Sequence, residues 1–89
     1  WGCLWEQGGD GMVQQFNPKY VSRFLKEGQW NHYYVEARGN HIRAWLNGVS
    51  TIDVVHEGGR LNGKIGFELC NGPKQTKIEV RQLLVKVYE

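Results

Sequence analysis

Between Trp30 and Val55 hydrophobic and polar residues alternate with a period of two. Tyr33, Val35 and Ala37 fall on one side of the first stretch, and His32, Tyr34, Glu36 and Arg38 on the other. That is the pattern of a strand with one buried face. Gly39-Asn40 then signals a two-residue hairpin turn. From His41 to Leu46 the alternation resumes, with Ile42, Ala44 and Leu46 opposed to His41, Arg43 and Trp45. Asn47-Gly48 is a second turn signal, and Val49 to Val55 reads as a third strand. A two-residue turn at Gly39-Asn40 pairs Ala37 with Ile42, Glu36 with Arg43, Val35 with Ala44 and Tyr34 with Trp45. Apolar meets apolar, acid meets base and ring meets ring. Such pairs contribute about 0.2–1 kcal/mol each, and a one-residue slip would lose all of them. At Asn47-Gly48 a two-residue turn would set Ile42 against Asp53 and mix the faces. A three-residue loop puts Ile52 and Val54 with Ile42 and Ala44, and Thr51 and Asp53 with Arg43 and Trp45. An irregular loop is therefore expected there.

Outside this block the pattern is weaker. Met12 to Phe16 reads as a short strand. Tyr20 to Glu27 fits one short turn of helix or a short strand. Lys64 to Cys70 places Ile65, Phe67 and Leu69 on one face, and Asn71-Gly72-Pro73 turns the chain. Lys77 to Tyr88 reads as the last and longest strand. Its phase changes between Ile78 and Val80 and the set Leu83, Val85 and Val87, which a β-bulge near Arg81-Gln82 would reconcile. The whole is an all-β meander of antiparallel strands with one apolar face.

Composition narrows the picture. The chain of 89 residues allows one domain, 1–89, with a thin core. Twelve glycines against two prolines suit strands and turns. The longest apolar run, Leu83 to Val85, is far too short to cross a bilayer, so no membrane partner is expected. A formal charge of +2, with the basic residues scattered, lacks the stripe that a nucleic-acid binder carries. Cys3 and Cys70 contain no CxxC pair for a zinc cage and leave open one disulfide or two free thiols. Gly8-Gly9-Asp10-Gly11 lacks the Lys-Ser/Thr ending and following helix of a phosphate cradle, and reads as a loop. No cofactor is implied.

The solvent face of the hairpins collects His32, Tyr34, Glu36, Arg38, His41, Arg43, Trp45, Thr51 and Asp53. Aromatic rings stack on the apolar face of a sugar and charged groups bond its hydroxyls. Tyr34, His41, Arg43, Trp45 and Asp53 are the candidate ligand-binding residues. The competing reading is a solvated face whose cross-strand pairs serve folding. Glu36 and Asp53 are weak candidates for an acid/base pair, since glycoside chemistry uses two carboxylates roughly 5–10 Å apart. Glu36 opposite Arg43 would have its pKa lowered, which spoils it as an acid. His41 and Asp53 supply at most two ligands, short of a metal site. Trp1, Trp5, Trp30 and Phe67 read as core or interface anchors rather than ligand platforms.

The order of Gly28-Gln29-Trp30-Asn31, Gly39-Asn40, Ile42, Trp45-Leu46-Asn47-Gly48-Val49 and Gly63-Lys64-Ile65-Gly66-Phe67, ahead of a strand of alternating Leu, Val and Lys, is similar to the 3-keto-disaccharide hydrolase family. Gly2-Cys3-Leu4-Trp5 also resembles an early strand of that family. The resemblance implies the concanavalin A-like jelly roll of lectins and glucanases, with a glycan on the sheet face. It covers the C-terminal half of longer family members, which implies a partial sandwich completed by oligomerisation or by N-terminal strands. Uncovered, its apolar face and open edges favour association, so a homodimer or larger is expected. The readings that follow are a carbohydrate-interacting module, a structural or oligomerisation domain without ligand, and an active glycoside hydrolase. The last rests on resemblance alone. The family's frequent export favours a periplasmic or extracellular location.

Overall fold

A computed structural model of the chain describes residues 1–6, 8–9, 11–66 and 77–87. Its elements are β1 (Leu4–Glu6), β2 (Gly11–Gln14), α1 (Pro18–Val21), β3 (Tyr33–Arg38), β4 (His41–Leu46) and β5 (Val49–Val55). They form two antiparallel sheets, a β1-β2 hairpin and a β3-β4-β5 meander, so the described chain is all-β apart from one helical turn.

The first predicted hairpin has the expected register. Tyr34 pairs with Trp45, Val35 with Ala44, Glu36 with Arg43 and Ala37 with Ile42. Gly39 takes φ 58°, the positive value that the first central position of a type II′ turn needs and that glycine adopts without steric cost.

The second hairpin solves its phase problem differently from the expected three-residue loop. Asn47 and Gly48 take φ 51° and 81°, the pair of left-handed positions of a type I′ turn. Leu46 then pairs with Val49 and Trp45 with Ser50, after which the register shifts and Ala44 meets Ile52. Thr51 is the extra residue of a β-bulge, where two successive side chains face the same way. Thr51 and Ile52 are accordingly both buried. The bulge restores the expected partners Ile42–Val54 and Arg43–Asp53. It also corrects the placement of Thr51, which leaves the wet face and gives its position beside Trp45 to Ser50.

The short helix is the helical alternative of the sequence reading, begun two residues early. Asn17 caps it by accepting from the Lys19 N–H at 3.0 Å, and Pro18 opens it. Both residues are favoured at those positions. Below it Phe16 packs edge-on to Phe24, with centroids 5.9 Å apart, and Val21 is buried.

The core centres on β4. Leu46 is 0% and Ile52 2% exposed, with Ala44 beside them. The N-terminal segment helps to cover this face. Gly2 closes on Thr51, where an added Cβ would lie 3.1 Å from the threonine methyl. Leu4 and Val13 line a depression with Ile42. The Gln14 side chain spans the outer edge of β5, its Oε1 accepting from the Asp53 N–H at 2.8 Å and its Nε2 donating to the Asp53 carbonyl at 3.3 Å. The cover is incomplete, and Val35 on β3 stays 61% exposed.

Two expected strands differ. Residues 64–66 are not in a strand, and Phe67, Leu69 and Cys70 lie outside the described residues. Residues 77–87 make no ladder, and Ile78, Val80, Leu83, Val85 and Val87 are all exposed. The reason is physical: an alternating pattern becomes a strand only when a neighbour takes up its backbone groups. Gln82 does take φ 53° at the point expected to be irregular. Cys3 is a free, exposed thiol, and its possible partner Cys70 is outside the described residues. Trp1, Trp5 and Trp30 are exposed rather than core.

Candidate functional site

The five candidate ligand-binding residues share one face of the meander, because positions 41, 43 and 45 of β4 project alternately to 42, 44 and 46 and the bulge keeps Asp53 opposite Arg43. At one end the Tyr34 and Trp45 rings lie 5.3 Å apart, tilted by 59°. This separation falls within the favoured range for an aromatic pair. The Arg43 guanidinium stands 5.6 Å from the Trp45 ring centre, a cation–π distance.

In the middle Arg43 donates from Nη2 to Glu36 Oε1, and Arg38 Nε lies 3.5 Å from the same oxygen. Only 10% of the Glu36 side chain is exposed. The Arg43 hydrogen bond holds the Glu36 carboxyl below its ordinary pKa, outweighing the opposing effect of burial, and the Arg38 and His41 charges add to it. The same hydrogen bond raises the Arg43 pKa. A carboxylate kept ionised by two guanidiniums is a poor general acid. At the far end His41 Nε2 meets Asp53 Oδ1 at 2.6 Å, with both side chains open to solvent. Among the described residues no three His, Cys, Asp or Glu side chains gather as a metal site, and no helix is long and apolar enough to cross a membrane.

The platform is anchored from beneath the turn. Asn47 Oδ1 accepts from the His32 N–H at 2.8 Å, while its Nδ2 donates to Phe24 O and to Asn31 Oδ1, each at 2.8 Å. Asn31 also accepts from the Lys26 N–H and donates to the Lys26 carbonyl. The two asparagines therefore tie the loop after α1 to the turn between β4 and β5. In the sequence they stand only as turn and motif residues. Their left-handed and side-chain-bridging roles were signalled by Asn-Gly at one and by nothing local at the other. Nothing in the sequence pattern singles out Glu6 or His56, which approach each other to 3.7 Å across the other face of the meander. They are far apart in sequence and share no motif.

The family model described as 3-keto-alpha-glucoside-1,2-lyase-like domain matches residues 1–86. The chain belongs to this family. The matched span of the lyase-like domain includes both hairpins and every platform residue. Its antiparallel sheets agree with the lectin-type β-sandwich of the family. No curated protein and no solved structure gives a significant match.

Proposed function

We propose that the lyase-like domain binds a sugar on the β3-β4-β5 face. The observation that carries this reading is the Tyr34–Trp45 pair, two half-open rings on a sheet, followed along the same face by Arg43 and the His41–Asp53 pair. A pyranose lays its C–H face on the Trp45 ring, which removes apolar surface from water. Its hydroxyls then reach Asp53 as acceptor and His41 or Arg43 as donors. Because Arg43 and Asp53 already have partners, little side-chain freedom is lost on binding.

Titration of the full chain with a panel of glycosides, followed by tryptophan fluorescence, tests the reading. Saturable binding that weakens about tenfold or more in Trp45→Ala supports it. Equal binding by wild type and variant removes it. Including a 3-keto-glucoside extends the test to chemistry, since the family's name describes an elimination across C1 and C2 of such a sugar. Turnover, lost in Asp53→Asn, would make the platform an active site.

A second reading, self-association, is favoured by the outer edge of β3, which no strand covers among the described residues, and by exposed Tyr33 and Val35 on the face that should be buried. Light scattering across a dilution series separates the two. A monomer at every concentration counts against association and leaves the sugar reading in place.

A further inference from the structure

Behind the platform, on the opposite face of β4, lies a depression of about 290 Å³ whose apolar walls are Leu4, Val13 and Ile42. Trp5, Glu6, His56 and Arg60 complete it. We propose that it is a second binding site, for a single uncharged polyhydroxylated ring.

Four features carry the proposal. First, its volume is at the low end for a ligand cavity, room for one ring and not for a chain of them. Second, Trp5 lies across Gly11, where an added Cβ would sit 3.6 Å from the indole. The indole thus rests beside β2, yet the residue stays 61% exposed, so its ring is open to a ligand. Third, the polar groups are held in place. His56 extends the β4-β5 ladder by donating its backbone N–H to Asn40 O at 2.8 Å. Its Nδ1 is 3.7 Å from Glu6 Oε2 on β1, and only 11% of the imidazole side chain is exposed. Fourth, glycines make the room. A Cβ at Gly59 would sit 2.6 Å from His56 Nδ1, and the Glu6 carboxylate occupies the space a Cβ would need at Gly9. Larger residues at either position would push the pair out of the depression.

The ligand class follows from the donor and acceptor set. Glu6 is an acceptor, Arg60 a forked donor, and their charges offset each other. A neutral ring with adjacent hydroxyls satisfies both, and its C–H face covers Trp5. An anion would meet the Glu6 charge. The site shares its ligand class with the platform but none of its residues, so each stands or falls alone.

The test is a nuclear magnetic resonance titration of the full chain, following indole N–H and imidazole signals. The probes are methyl α-D-glucoside, glucuronate and inorganic phosphate. The expected result is a saturable shift of the Trp5 indole and His56 ring with the neutral glucoside. It should weaken about tenfold in Arg60→Gln and persist in Trp45→Ala. Arg60 lies outside the ladders, so its replacement leaves the sheets intact. Trp5→Ala should abolish the His56 response. The proposal is overturned if the Trp5 signal does not saturate with the glucoside, if Arg60→Gln binds as wild type, or if only the anions act. A Trp5 response alongside a silent Trp45 supports the second site and shows that it takes the glucoside without the platform.

Discussion

Glu36 and Asn47 set much of the wet face between them. Glu36 is ionised more readily in the folded chain than in the unfolded one, because Arg43 hydrogen-bonds its carboxylate. Its contribution to stability is therefore complete above the unfolded value of about 4.3 and is lost as pH falls through the lower folded value. Thermal melts should show an acid limb in that window, and Glu36→Gln should flatten it while lowering the melting temperature at neutral pH. Asn47 combines a left-handed backbone with three side-chain hydrogen bonds. Asn47→Ala should cost roughly 2–4 kcal/mol by denaturant titration, and Asn47→Gly less, since glycine keeps the turn and loses only the bonds. Tyr34, Glu36, Arg43 and Trp45 were legible in the sequence because pairing across one tight turn is arithmetic. The Asn31–Asn47 bridge was not, because it joins a loop to a turn through side chains alone and leaves no period.

At the level of elements, the bulge at Thr51 shows how the alternation is read correctly and the turn wrongly. The sequence demanded one extra residue between Gly48 and Ile52 but could not say whether the turn or the strand would hold it. Asn-Gly decided the matter, since both residues adopt positive φ and complete a tight turn unaided. The extra residue moved into β5, and Thr51 turned inward against Gly2. Gly2 has φ 76° as well as that close approach. Gly2→Ala is expected to destabilise by about 1–3 kcal/mol, a loss readable in thermal melts. Thr51→Ser, which removes the methyl that an added Cβ would meet, should recover part of it in the double variant. Residues 77–87 make the opposite case. Their period of two, broken once between Val80 and Leu83, still predicts a strand, yet periodicity specifies a face and not a neighbour, and no ladder forms there among the described residues.

Across the whole molecule, two small sheets share one modest core, and much apolar surface remains on Val35, Val55 and residues 78–87. The sequence made this imbalance visible as a meander with a greasy side and too few strands to bury it. It could not show that the N-terminal hairpin reaches over to help, because that cover depends on contacts between residues far apart in the chain. One of those contacts gives the meander a polarity. The Gln14 amide occupies a backbone rung on the outer edge of β5, as a neighbouring strand would, whereas among the described residues β3 has β4 on one side and no strand on the other. For the self-association proposed above, this asymmetry makes the β3 flank, rather than the β5 flank, the expected seam. Two copies docked there would meet about a two-fold axis, each covering the other's exposed rungs.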